Sequence, residues 1–211
     1  MNEPKIKILL VDDHHIVRQG MSMLINNQPD MNVSHDAGGV QEAVATLKQS
    51  SEQIDIALID ISLNGSSGFE LLKYMRINHP DLPVLVISMH DEMLYAERAI
   101  RGGAKGYIMK QEASDNMISS IRVIMQGNIV VSEQIRQRIE NSSSSNVLDR
   151  LTASEFEVLQ LLGQGKTTSD IAKINTRSIK TIEAHRANIR QKLDLPDSNA
   201  LMMFAIQMQI D

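Results

Sequence analysis

Lys5–His15 reads KIKILLVDDHH, a nearly unbroken apolar run that stops on two adjacent carboxylates, Asp12 and Asp13. Ile54–Gly68 reads IDIALIDISLNGSSG, a second such run, stopping on Asp60. Short runs this apolar are expected of β-strands covered on both faces, as in a parallel sheet sandwiched between helices. In an open sheet of that kind the carboxyl ends of neighbouring strands converge on one crevice. Asp12, Asp13 and Asp60 are expected to meet there, and their mutual repulsion calls for a hard cation such as Mg2+. A nucleophilic carboxylate beside a bound cation is the equipment for accepting a phosphoryl group.

Outward from these two runs, strand and helix signals alternate to about residue 126, the pattern of βαβ units. The strand candidates are Ile6–Val11, Asn32–His35, Ile54–Ile59, Val84–Ser88 and Lys105–Met109, with helices near 15–27, 39–50, 67–78, 92–102 and 112–126. Pro80 and Pro83 break the chain before the fourth strand, and Gly102-Gly103 ends the helix before the fifth. Residues 5–126 thus read as an α/β domain with a five-stranded parallel sheet. Residues 127–146 read as a linker, a polar helix over Glu133–Asn141 followed by the flexible, core-poor NSSSSN of Asn141–Asn146. Residues 147–211 hold only helix patterns, so a separate all-α domain of four helices is expected. Thr152-Ala-Ser-Glu155 is a capping box opening an apolar stripe through Phe156, Leu159 and Leu162. Helices follow at Ser169–Ile174, Ser178–Leu193 and from about Ser198.

A length of 211 residues suits two domains. Cysteine is absent, which excludes disulfides and thiolate metal sites. Aromatics make up only 3%, so the cores must rest on Ile, Leu, Val, Ala and the 13 methionines. No apolar run approaches the ~18–20 residues of a membrane span, and MNEPK lacks a signal-peptide pattern. A soluble, cytoplasmic protein with no membrane partner is expected. The net charge of −5 is unevenly spread: residues 1–133 carry 11 Lys/Arg against 17 Asp/Glu, residues 134–211 carry 10 against 9. Residues 177–192 hold Arg177, Lys180, Arg186, Arg190 and Lys192 against Glu183 alone, which concentrates positive charge on one element.

Within the crevice, Asp60 is the expected nucleophile and phosphoacceptor. The protein's share of a Mg2+ shell is expected from the Asp13 and Asp60 carboxylates and the Ser62 backbone carbonyl, with Asp12 acting through water. Ser88 ends the fourth strand and Lys110 follows the fifth, so both should reach the crevice and offer a hydroxyl and an ammonium to phosphoryl oxygens. Taken singly, a strand-end aspartate is more often a helix cap and a lone lysine more often solvated surface. Their order and joint strand-end placement carry the reading. His14 and His15 are read as the start of the first helix rather than as metal ligands.

VDD at Val11–Asp13, then Asp60, then Ser88, then GAKGYIMK ending in Lys110 closely resemble the receiver domain of two-component response regulators, over roughly residues 5–126. The resemblance implies a doubly wound, flavodoxin-like sheet of order 2-1-3-4-5 and transfer of phosphate to Asp60 from a sensor histidine kinase. It also implies a switch pair in Ser88 and Tyr107. Two departures stand out. Where the family usually carries Met then Pro after the acceptor, this chain has Ile61-Ser62-Leu63-Asn64, so a looser loop is expected. Ser88 replaces the commoner threonine and keeps the hydroxyl.

Thr167–Arg186 reads TTSDIAKINTRSIKTIEAHR: a short helix, a turn and a basic helix. Ala172 is small, as a tight helix crossing requires, and Ile171, Ile179 and Ile182 are expected in the core. Ser178 is a natural N-cap that leaves the helix amino end facing phosphate oxygens. The outward face carries Lys180, Thr181, Glu183, Ala184, Arg186, Ala187 and Arg190, small residues among basic ones, suited to a major groove. LTASEFEVLQLLGQG, IA, TIEAHRANIRQKL and the closing helix resemble the LuxR-type four-helix DNA-binding domain, and the whole chain is similar to NarL/FixJ-family response regulators. Asn175 and Arg177 stand where that family has apolar residues. The resemblance implies double-stranded DNA contacts from Thr167, Ser178, Lys180, Thr181, Glu183, Ala184, Arg186 and Arg190. It also implies a homodimer on phosphorylation, with part of ALMMFAIQMQ (Ala200–Gln209) at its seam. Two other readings stay open on the residues alone. A dehalogenase-like phosphohydrolase would need an acid where Ser62 stands, so no enzyme is expected; a regulator acting through protein or RNA contacts is the other.

Overall fold

The structure is a computed structural model that describes residues 4–63, 66–89, 92–141 and 147–208. It divides into two compact units, the break falling between Ser143 and Ser144. All of NSSSSN beyond Asn141 lies outside the described residues.

In the first unit, β1 (Ile6–Val11), α1 (His15–Asn26), β2 (Met31–Ala37), α2 (Val40–Ser50) and β3 (Ile56–Asp60) follow in order. Two short strands, β4 (Ser62–Leu63) and β5 (Ser66–Ser67), lead into α3 (Gly68–Asn78). Then come β6 (Val84–Ser88), α4 (Glu92–Arg101), β7 (Gly106–Met109), α5 (Ala113–Met125) and α6 (Glu133–Asn141). The main sheet is parallel throughout, in the order β2-β1-β3-β6-β7. That is the doubly wound order expected from the resemblance, counting the five long strands alone. β1 and β6 match their expected spans. β3 starts two residues late because Asp55 steps out of the ladder: the Lys7 N–H donates to its carboxylate at 2.7 Å, while its own N–H donates to the Lys7 carbonyl at 2.8 Å.

The strands are apolar on both faces because both faces are covered. Ile8, Leu10, Ile56, Leu58, Leu85 and Ile87 pack with Met21 and Ile25 of α1 and Met117, Ile121 and Ile124 of α5. The alternate residues Leu9, Val11, Ala57, Ile59 and Val86 face the other way and are equally buried. The stretch expected as linker is structured as far as Asn141. Val130 pairs with the outer edge of β7 opposite Gly106, and Ile135 of α6 is fully buried.

The second unit holds α7 (Ala153–Gly163), α8 (Thr168–Ile174), α9 (Ile179–Lys192) and α10 (Ser198–Gln207). The Thr152 capping box forms as read, with the Glu155 N–H donating to Thr152 Oγ1 at 3.3 Å and the Thr152 N–H donating to Glu155 Oε2 at 2.8 Å. A second box, Thr167 with Asp170, opens α8. Phe156, Leu159, Leu162, Ile171, Ala172, Ile182, Ile189 and Leu201 form the core. Ile179 does not join it: it is 50% exposed. It is the first residue after the Ser178 N-cap, so it lies a turn short of where α9 crosses its neighbours, and Ile182 is the first inward position.

Candidate functional site

Asp60 ends β3, the middle strand, and is 2% exposed; Asp12 follows β1 on the adjacent strand and is fully buried. Lys110, the first residue after β7, reaches across the carboxyl end of the sheet. Its Nζ lies 2.7 Å from Asp60 Oδ2 and 2.7 Å from Asp12 Oδ2. The other oxygens are held by backbone donors. The Ser62 N–H donates to Asp60 Oδ1 at 3.0 Å, and the His14 N–H to Asp12 Oδ1 at 2.7 Å. The strand-end carboxylates expected to converge do converge. Ligand atoms of Asp12, Asp13, His14 and Asp60 all lie within 4.8 Å of one another.

Burial pushes the Asp60 carboxyl above the ordinary aspartate value, and this outweighs the opposing pull of Lys110 and the Ser62 N–H. Burial alone would lower the Lys110 pKa, but its bonds to Asp12 and Asp60 prevail and raise it. The ammonium is therefore charged and bound. Three carboxylates against one ammonium still leave an excess of negative charge in a small volume. The donors are hard oxygens from adjacent strand ends, which is the chemistry a hard divalent cation takes. The residues fit a metal ion.

The remaining expected residues are placed as follows. Ser88 is fully buried at the end of β6, one position beyond the residue that pairs with Asp60. Tyr107 is buried on β7 opposite Val86, further from the crevice mouth. His14 and His15 do begin the first helix, His14 as its N-cap. The His14 ring also stands 2.8 Å from Asp13 Oδ1, which places it at the rim of the acidic group.

Two features escaped the sequence reading. The loop after Asp60, expected to be loose for want of proline, is closed by β4 and β5, with Ser62 paired to Ser67 and Leu63 to Ser66. The Gly68 N–H donates to the Ile61 carbonyl at 2.9 Å, and Leu63 is buried. Gly68 is the second. A Cβ there would lie 2.1 Å from the Asp60 carbonyl oxygen and 2.7 Å from Ile61 Cα. Its place at the end of ISLNGSSG was the available signal, since glycine is what a close backbone approach requires.

In the second unit, Ser178 accepts from the Thr181 N–H at 3.1 Å and shares a 2.8 Å hydroxyl contact with Thr181. Lys180, Glu183, Ala184 and Ala187 are exposed along α9, as is Thr167 at the start of α8. Arg186 and Arg190 are only half exposed. Arg186 Nη1 donates to Thr168 Oγ1 at 2.6 Å, tying α9 to α8, and Arg190 Nη2 donates to the Pro196 carbonyl at 3.4 Å. Lys192, counted in the positive charge of residues 177–192, is turned inward to Glu155, 2.6 Å away.

Known proteins match both units. Residues 8–122 match the response regulator receiver domain, and residues 149–205 the bacterial regulatory proteins of the luxR family. The oxygen regulatory protein NreC of Staphylococcus carnosus is 32% identical over 97% of this chain and 99% of its own. The transcriptional regulatory protein YxjL of Bacillus subtilis is 31% identical over 98% of each. Among solved structures, a LuxR-family two-component response regulator from Aurantimonas sp. SI85-9A1 is 31% identical over 64% of this chain and 96% of its own, with a TM-score of 0.59. The fold of Salmonella typhimurium RcsB matches 97% of this chain and 98% of its own at 24% identity and the same TM-score of 0.59. With the acidic crevice in one unit and the helix-turn-helix in the other, the chain belongs to the two-component response regulators that join a receiver to a LuxR-type DNA-binding domain, and it is a phosphorylation-dependent regulator of transcription rather than an enzyme.

Proposed function

We propose that Asp60 is the phosphoacceptor of this regulator. The observation that carries the reading is the single ammonium of Lys110 lying 2.7 Å from both the Asp60 and the Asp12 carboxylates. Phosphoryl transfer is mostly positioning and charge neutralisation, and the crevice supplies both. An Asp60 oxygen forms the bond to phosphorus as the bond to the donor, a kinase histidine nitrogen, breaks. The Ser62 N–H and the Lys110 ammonium steady the carboxylate and take up charge on the new group. Asp13, Asp60 and the Ser62 carbonyl would hold Mg2+, with Asp12 acting through water; when bound, the ion would neutralise charge between donor and acceptor. Ser88 then closes on the phosphoryl oxygens, and Tyr107 follows as the second member of the switch.

Residues 5–126 receive the signal and residues 147–211 deliver it to promoter DNA in the cytoplasm, the two joined by residues 127–146. The protein acts as a homodimer once phosphorylated. DNA is contacted by Thr167, Ser178, Lys180, Thr181, Glu183 and Ala184, with Arg186 and Arg190 at the edge of the same face. The exposure of Lys180 and the small Ala184 and Ala187 on α9 supports this. It also favours DNA over a protein-contact regulator, for which a helix of that composition has no evident use. Treating the chain and its Asp60→Asn variant with a small phosphodonor tests the acceptor assignment. Mass spectrometry should find one phosphoryl group on the first and none on the second; undiminished uptake by the variant would mean that another residue is the acceptor.

A further inference from the structure

The chain that leaves α5 is fastened to the receiver at three points. The Val130 N–H donates to the Lys105 carbonyl at 2.9 Å, and the Tyr107 N–H donates to the Val130 carbonyl at 2.9 Å, so Val130 adds one rung to the outer edge of β7. A parallel ladder would next carry the Ser132 N–H to the same edge. It does not: the Ser132 N–H donates to Glu92 Oε1, at the start of α4, at 2.9 Å. Ser132 then caps α6, its hydroxyl accepting from the Ile135 N–H at 3.4 Å, and Ile135 is fully buried. Gly106 has no side chain where the rung lies; a Cβ there would stand 3.1 Å from Val130 Cβ.

The helix that supplies Glu92 is in turn packed on the first turn of α3, the helix that follows the loop after Asp60. Phe69, next to the Gly68 that touches the Asp60 backbone, stacks on Tyr95 of α4 with ring centroids 6.3 Å apart, and Arg98 lies 4.5 Å over the Phe69 ring. Tyr95 is 2% exposed, so this contact is part of the core. A movement at the start of α3, which follows that loop, therefore reaches α4 through packed side chains.

We propose that Glu92 is a latch: in the unphosphorylated receiver it holds residues 129–135 as a strap on the β7 edge, and loading of Asp60 withdraws it. The proposal rests on Asp60 as phosphoacceptor. Its direction follows from the sheet order. Ser88 closes on a phosphoryl group by moving toward β3, and Glu92, four residues later in the chain, is carried away from the β7 edge where Ser132 sits. A hydrogen bond is lost when its heavy atoms part by less than about 1 Å from ideal separation, so a small shift suffices. With Glu92 gone, one neutral rung and the packing of α6 hold the strap. Release of residues 129–135 would add up to about 25 Å of contour to the tether of the DNA-binding unit. The phosphorylation signal would reach that unit as freedom of the tether.

Amide hydrogen exchange on the full chain tests this. Glu92→Ala, without any phosphoryl mimic, should speed exchange at residues 130–136 by roughly tenfold, the loss expected for a charge-assisted hydrogen bond. Glu92→Gln, which keeps an acceptor oxygen but not the charge, should fall between. Beryllofluoride with Mg2+ on the wild-type chain should speed the same amides while slowing those near residues 60–63. Wild-type exchange at 130–136 in Glu92→Ala would overturn the latch. So would a beryllofluoride response confined to residues 60–63 and 107–110. Beryllofluoride that alters no amide near Asp60 would instead strike at the phosphoacceptor reading, and the two Glu92 variants would still decide whether the strap is latched.

Discussion

Asp60 shows at the scale of one residue how a reactive group and a stable fold oppose each other. Its carboxyl is raised by burial, so the native chain binds a proton there more readily than the unfolded chain does. The sign follows: the contribution to stability is fullest below the ordinary aspartate value near 4 and is lost as pH rises through the raised native value. Asp60→Asn keeps the shape and removes the buried charge. In metal-free protein it should melt higher than wild type at pH 7, with the gap closing as the pH is lowered toward 4; a lower melting temperature at pH 7 would contradict this account. Gly68 is constrained by space instead. Gly68→Ala puts a Cβ 2.1 Å from the Asp60 carbonyl oxygen, so the acceptor loop must move. Overpacking of this kind costs about 2–3 kcal/mol, which should appear as a lower urea midpoint with an unchanged slope and as slower phosphate uptake.

Among the elements, α9 carries two jobs on two faces, and the structure separates residues that look alike in the sequence. Lys192 pairs with the buried Glu155, which also closes the capping box of α7. Burial alone would raise the Glu155 pKa, but Lys192 and Thr152 override it and the net shift is downward. Stability from this pair is present above the ordinary glutamate value near 4.5 and is lost as pH falls through the lowered native value. Lys192→Met should therefore cost about 2 kcal/mol at pH 7, with the deficit shrinking near pH 4, as read by thermal unfolding followed through helix circular dichroism. Lys180 is exposed and makes no such commitment. In salt titrations of DNA binding, Lys180→Ala should reduce the slope of log affinity against log salt by about one if it neutralises a phosphate. If instead it reads a guanine edge, the loss should be ~1–3 kcal/mol on the preferred sequence with the slope nearly kept. Arg186→Ala should differ from both by lowering the melting temperature as well, because its bond to Thr168 ties α8 to α9.

At the scale of the molecule, the chain divides into two compact units, the receiver in the first and the DNA-binding helices in the second. On the proposed reading, phosphorylation would add charge at a crevice already crowded with it, and recruiting Ser88 and Lys110 would bias the receiver surface. Light scattering across a concentration series should show the mass shifting from monomer toward dimer when beryllofluoride and Mg2+ are added. An identical mass with and without the mimic would remove dimerisation from the mechanism.

The apolar runs ending in Asp12, Asp13 and Asp60 determined the parallel sheet and the meeting of the carboxylates, because a strand buried on both faces has one readable pattern and a fixed crevice end. Thr152 with Glu155 and Ser178 with Thr181 were legible for a similar reason: caps are local, made by residues three apart. Where contacts join distant positions, the sequence was silent or misleading. Ile179 reads as core by periodicity, yet at the first position of α9 it is half exposed. Lys192 reads as one more positive charge of residues 177–192 until Glu155, 37 residues away, turns it inward. The loop after Asp60 lacks its proline but is held by β4 and β5, a pairing only the fold could bring about. Residues 127–146 read as a linker, yet Val130 meets a sheet edge and Ser132 the Glu92 carboxylate, both far from them in the chain. Short-range preference determined the elements; which charges are paired and which segments are fastened was decided by the packing of one element on another.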